Sequence, residues 1–297
     1  MLDTIFIGLS IGSVLLLVAL GLAITYGAMG VINMAHGEMV MIGAYTTVLA
    51  SIYLGVGLLA AIPIAFVVTA LVGFAIERTI VSRLYGRLLD TLLATWGVAI
   101  LLQQAVRLSL GLAFFGITIN GLGTGLQNVR VPEYLSGVVS IGGEQISLYR
   151  AFIIVVTIVM TLLTWFLMYR TSLGAQVRAI MRNPDMAAAC GIDVARVNAL
   201  TFAYGSGLAG VAGVMMSGFK TVFPDMGTPM VVDGFLVVVT GGVGSLLGTV
   251  LSAGLLGQIN GLTASVSNDI IARAVIFAVV VAIIVWKPSG LFSYKGR

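Results

Sequence analysis

Of 297 residues, 59% are hydrophobic and only 9% charged, and the mean hydropathy is +1.13, whereas a soluble domain carries about 25% charged residues. A soluble fold cannot hide that much apolar surface, so the chain reads as an all-α polytopic membrane protein. The net charge of +4 comes mostly from residues between apolar segments, where membrane orientation accounts for it, and nucleic acid is set aside as a partner.

Cys190 is the only cysteine and His36 the only histidine, so neither an internal disulfide nor a Cys/His zinc centre can be assembled. The start, MLDTIF, has no basic region and no small-residue cleavage site after its apolar run. It is read as a retained first span, with the mature chain beginning near Met1.

A membrane helix needs about 20 apolar residues. On that ruler the candidate spans run 5–26, 36–55, 58–77, 91–110, 150–169, 197–217, 231–262 and 270–286. The expectation is about 8–9 transmembrane segments, including broken or re-entrant helices with glycine-rich packing. No linker divides the chain, so residues 1–297 are read as a single transmembrane domain.

The second segment enters its apolar run through Asn33, His36 and Glu38. Intramembrane ionisable groups are costly, which makes these residues candidates for a functional site. Capping of a broken helix or hydrogen bonding to a neighbour remains the alternative. An H-x-E deaminase reading fails because no P-C-x-x-C partner exists.

Three connections hold most of the basic residues: Arg78, Arg83 and Arg87; then Arg170, Arg178, Arg182 and Arg196; then Lys287, Lys295 and Arg297. The positive-inside rule makes all three cytoplasmic. An even number of crossings must then separate Arg196 from Lys287, so 231–262 has to be discontinuous. Its glycines Gly241, Gly242, Gly244 and Gly248 mark the break. The same logic puts 111–149, with its turn-rich GLGTG and VPEYLSG, outside. The side on which the N-terminus lies stays open.

Gly205-x-Gly207-x-x-Gly210 matches a dinucleotide fingerprint in spacing but sits inside an apolar segment, so it is read as packing glycine. Gly8-x-x-x-Gly12 and Gly257-x-x-x-Gly261 also suggest close helix approach, without naming a partner. The connection 171–198 is read as a cytoplasmic helical elbow suited to a groove on another protein, with an ordinary ordered loop as the alternative. Pro184 can open a short helix, Asp185 suits its positive end, and Gly191 can close it.

Asp185 to Gly191 has the spacing of the E-A-A-x-x-x-G loop by which ABC importer permeases contact their ATPases, with Asp for Glu and Met186 for the first Ala. With GLAITYGAMGVINMAHGEMVMIGAY, RTSLGAQVRAIMRNPDMAAACGI and GGVGSLLGTVLSAG, nearly the whole chain resembles the permease family of branched-chain amino acid and urea importers. The urea-type subunit looks closest, through LYGRLLDTLLATWGVAILLQQ, FPDMGTPMVVDGFLVVVTGGVGSLLGT and KPSGLFSYKGR.

The resemblance implies a multi-pass subunit of the bacterial inner membrane. Its partners would be the lipid bilayer, a second permease subunit, two ATPase subunits and a periplasmic solute-binding protein. It implies ATPase coupling through Arg182, Asp185, Ala187, Ala188 and Gly191. The chain lacks G-x-x-x-x-G-K-[ST], so ATP and Mg would bind on the partner subunits, with no cofactor, metal or catalytic residue here.

Urea is the expected cargo, and branched-chain amino acids are the alternative. Urea has amide donors and a carbonyl acceptor, so polar residues within apolar segments could pass it along. Asn33, Thr95, Gln103, Gln104 and Asp233 are such residues, with His36 and Glu38, and Trp96 could form a wall. An amino acid would need Arg107, Glu38 or a half-helix N-terminus for its charges. Interhelical hydrogen bonding is the competing role for each. A passive urea channel and an intramembrane enzyme using His36 and Glu38 are the rivals from other classes.

Overall fold

The computed structural model describes residues 2–108, 126–141 and 144–292. Eleven helices are described: α1 (Leu2–Met29), α2 (His36–Tyr53), α3 (Leu58–Thr79), α4 (Leu88–Arg107), α5 (Leu148–Arg170), α6 (Ser172–Arg182), α7 (Pro184–Ala189), α8 (Val194–Ser217), α9 (Gly227–Gly241), α10 (Leu246–Val266) and α11 (Asp269–Trp286). A small antiparallel hairpin, β1 (Val138–Ile141) with β2 (Glu144–Ser147), pairs Val138 with Ser147 and departs from the all-α expectation. The Gly142-Gly143 dipeptide between the strands is a hairpin signal in the sequence. The GLGTG stretch at 121–125, Lys295 and Arg297 lie outside the described residues.

Each expected apolar segment coincides with a helix, and 231–262 is indeed broken, at 242–245. Among the described residues, six helices are long and apolar enough to cross a membrane. By contrast, α9 has 15 residues and a length of about 22 Å at 1.5 Å per residue, short of a hydrocarbon core of about 30 Å. It ends at Gly241, and Gly242 and Gly244 follow with φ of 98° and 79°, a region that only glycine enters without strain. Two glycines thus turn the chain within four residues into the Ser245 cap of α10, whose hydroxyl accepts from the Gly248 amide at 3.0 Å.

Two antiparallel helix pairs frame the molecule. Gly8 and Gly12 of α1 meet Gly257 and Gly261 of α10, so the two G-x-x-x-G spacings pack against each other. Across the bundle, α3 lies against α8, with Gly73 on Ser206 and Thr69 on Gly210. Helices α1 and α8 run in opposite directions. The start of α1 and the end of α8 both meet the start of α5, where Arg150 donates to Ser10 at 3.0 Å and Tyr149 to the Met215 carbonyl at 2.7 Å.

The basic connections gather at the other end. There Tyr85 approaches the Met29 sulfur at 3.7 Å and donates to the buried Glu77 carboxylate. Burial first, and then that bond, push the Tyr85 phenol above its ordinary value, which keeps it a donor. After α11 the chain turns back at this end. The amides of Leu291 and Phe292 donate to the Thr240 and Gly241 carbonyls at 2.8 and 3.2 Å, and so close the last turn of α9.

Candidate functional site

Helix α2 begins inside the bundle. After α1 the chain turns at Gly30, and residues 31–35 run without helix beside α1 and α4. Local polar groups hold this segment. The Asn33 side-chain oxygen accepts from the Ala35 amide at 3.0 Å, and Thr95 of α4 accepts from the Met34 amide at 3.1 Å. His36 is fully buried, and its Nε2 lies 3.1 Å from the Val18 carbonyl of α1. Asn33, Thr95 and His36 thus each place a hydrogen-bonding group at the entry to α2.

Helix α9 starts at the same place from the opposite direction. Gly37 and Gly227 touch backbone to backbone, close enough that a Cβ on Gly37 would stand 2.2 Å from the Gly227 carbonyl oxygen. The first-turn amides of both helices have no intrahelical acceptors, and both helix starts carry partial positive charge. Glu38 sits where these two starts converge, 1% exposed. Helix-start charge of this kind favours a carboxylate in a place that would otherwise exclude one.

One carboxylate oxygen of Glu38 accepts from Gln103 Nε2 of α4 at 2.8 Å and from the Thr228 hydroxyl of α9 at 3.4 Å, and Gln103 also reaches Thr228 at 3.0 Å. The other oxygen, Oε2, has no hydrogen-bond partner. Just beyond, Arg107 grips Asp225 through two bonds of 2.6 and 2.5 Å, both side chains half exposed. The result is a polar cluster at the junction of three helices, with one free carboxylate oxygen and an exposed ion pair at its rim.

Of the expected pathway residues, the structure brings Glu38 and Gln103 together and leaves others apart. Trp96 is 54% exposed on the outer face of α4, and Gln104 is also exposed. Asp233 pairs instead with Arg273 of α11 at 2.7 Å. Thr228 and Asp225 were not singled out by sequence reasoning. The available signal for Thr228 was Pro229, a residue tolerated in the first turn of a helix, which marks the start of α9.

The 171–198 connection forms two short helices. Thr171 accepts from the Gly174 amide at 3.2 Å and Asn183 from the Met186 amide at 3.0 Å, which caps α6 and α7. Pro184 opens α7, and Gly191, with φ of 84°, follows its end. Ala187 is buried against the body, whereas Arg182, Asp185 and Ala188 are exposed. Of the expected contact residues, Ala187 is thus turned inward.

A family model described as "Branched-chain amino acid transport system / permease component" matches residues 4–284. The chain is 33% identical to the high-affinity branched-chain amino acid transport system permease protein BraD of Pseudomonas aeruginosa, over 96% of this chain and 94% of the relative. It is 30% identical to the corresponding permease protein LivH of Salmonella typhimurium, over 98% and 95%. It is 23% identical to LivM of Escherichia coli, over 93% of this chain and 67% of the relative. These relatives are permease proteins of transport systems, not enzymes. No solved structure matches.

Proposed function

Because this chain belongs to the family of branched-chain amino acid transport system permease components, we propose that it is the membrane-spanning subunit of an ATP-driven importer for a small polar solute. The observation that carries the reading is the head-to-head meeting of α2 and α9 around Glu38, Gln103 and Thr228. Interrupted helices whose starts converge inside a bundle suit binding of a polar solute away from water. Movement of either helix would remake the cluster, as alternating access requires.

The first cargo reading is a branched-chain amino acid, supported by what the relatives are named for. The free oxygen of Glu38 suits an ammonium group, and Arg107 suits a carboxylate. Urea, put first by the sequence reading, becomes the second. It is favoured by one observation: Arg107 and Asp225 are paired with each other, which leaves amide, hydroxyl and carboxylate groups that match a neutral amide. Labelled leucine and labelled urea, each in competition with the other, separate the two. Uptake of neither would overturn both, and uptake that persists when the partner ATPase is catalytically dead would make the protein a passive channel.

In this reading the basic end faces the cytoplasm of a bacterial inner membrane and the loop near 111–149 faces the periplasm. The whole of 1–297 acts as one domain. Relatives of both LivH and LivM names align with this chain, which supports pairing with a second, related permease. Two ATPases carrying ATP and Mg would dock on the elbow, and a solute-binding protein would deliver cargo from outside.

The exposed face of α7 gives a direct test of coupling. Ala188→Glu puts a charge on that face without touching the core, and it is expected to lower uptake and weaken co-purification with the ATPases at unchanged membrane abundance. Unaltered uptake and association would remove α7 from the coupling surface.

A further inference from the structure

A cavity of about 570 Å³ opens at the basic end of the molecule, and Glu38 is not among the residues that line it. Ala23 and Ile24 of α1 and Met168 and Tyr169 of α5 form its apolar side, and the α9–α10 break, from Val243 to Leu247, forms another. Two arginines of the elbow helix α6, Arg178 and Arg182, line it as well. Among the described residues no carboxylate pairs with either. The Arg178 guanidinium lies 5.3 Å from the centre of the Tyr169 ring, and its Nη1 is buried without a hydrogen-bond partner. A half-buried guanidinium with one buried nitrogen left without a hydrogen bond, beside a second arginine with no carboxylate partner, is an unfilled demand for an anion.

The surroundings say which anion. Leu247, Leu251 and Leu255 follow one another at four-residue spacing along α10, and all three are exposed. Leu162, Phe166 and Tyr169, spaced by four and then three residues, are likewise exposed along α5. Apolar tracks therefore lead away from the guanidinium groups on both flanking helices, along surfaces that acyl chains would cover. Trp165 and Tyr169 stand at this level, and such aromatic side chains mark the membrane interface. A free phosphate would satisfy the arginines and leave the tracks unused.

We propose that this cavity binds the phosphate group of an anionic phospholipid between Arg178 and Arg182, with its chains lying against α5 and α10. The bound lipid would join the elbow to the α9–α10 break, so that the ATPase-facing connection and the inner end of α9 move together. The site is independent of which solute is carried.

The test is lipid retention by the purified full chain in native mass spectrometry. Phosphatidylglycerol and phosphatidylcholine of identical acyl chains are offered together, and inorganic phosphate is a separate competitor. Phosphatidylglycerol is expected to be retained about twenty-five-fold over phosphatidylcholine, about fivefold for each arginine. The Arg178→Gln, Arg182→Gln double variant should bring the two lipids to parity. Arg170→Gln, whose guanidinium stacks on Trp165 outside the cavity, should leave the preference intact.

If the double variant does not fold, Arg182→Gln alone, at an exposed position, should remove about fivefold. Equal retention of the two lipids, or a preference that survives loss of the arginines, overturns the proposal. So does displacement by millimolar inorganic phosphate, which would mark a free-anion site. Loss of the lipid on association with the ATPases would instead make the cavity a protein-docking surface, and would equally overturn it.

Discussion

Gly37→Val is expected to cut solute uptake by about tenfold or more while the chain still reaches the membrane. At Gly37 even a single Cβ would stand 2.2 Å from the Gly227 carbonyl oxygen and 3.1 Å from the Val231 Cβ. The nearest obstacle is backbone and cannot rotate away, so α2 and α9 must separate. Overpacking of this kind costs about 1–3 kcal/mol, which a large membrane bundle can survive. The geometry around Glu38 cannot, because Gln103 and Thr228 reach it from two different helices. The measurement is uptake in cells carrying the partner subunits, normalised to membrane abundance. Wild-type uptake by the valine variant would show that the contact of the two helix starts is dispensable.

The second large effect is at Glu38. Glu38→Leu removes the acceptor shared by the half-buried Gln103 and the exposed Thr228, and hydrogen bonds to a charged group contribute about 1.5–3 kcal/mol each. Uptake should fall by about tenfold to a hundredfold. Glu38→Gln keeps one acceptor and gains donors, so its effect depends on the cargo. A solute held through its ammonium group loses its counter-charge and uptake drops as it does for the leucine variant. Urea loses no charge interaction, and the glutamine variant should keep most of its uptake. Normal transport by Glu38→Leu would take the cluster out of the solute path altogether.

Much of the architecture was legible in the sequence because membrane helices announce themselves locally. Runs of apolar residues placed the helices, and the Gly241-Gly242-Val243-Gly244 stretch placed the break. Asn183-Pro184 and Gly191 bounded α7, since capping and turn chemistry involve near neighbours. The site was less legible. Glu38 stood out as a buried acid, but its partners lie 65 and 190 positions away, and hydropathy carries no information on which helix turns toward which.

Polar residues inside apolar runs look alike in sequence, yet they divide sharply in the structure. Asn33 and Thr95 tie down the entry to α2, Asp233 pairs with Arg273, and only Glu38 and Gln103 among the expected pathway residues share the cluster. The glycine spacings of α1 and α10 showed the same limit: each signalled close packing, and only the fold shows that the partner of each is the other.

The return of the chain after α11 has a consequence for biogenesis. The last carbonyls of α9, at Thr240 and Gly241, receive their donors from Leu291 and Phe292, which are made some fifty residues later. Throughout synthesis of α10 and α11, the half-helix that carries Thr228 waits with its inner end open. It can adopt its final position only once residues 291 and 292 have been made, so a nascent chain halted before residue 291 would hold all eleven described helices and still lack a settled α9.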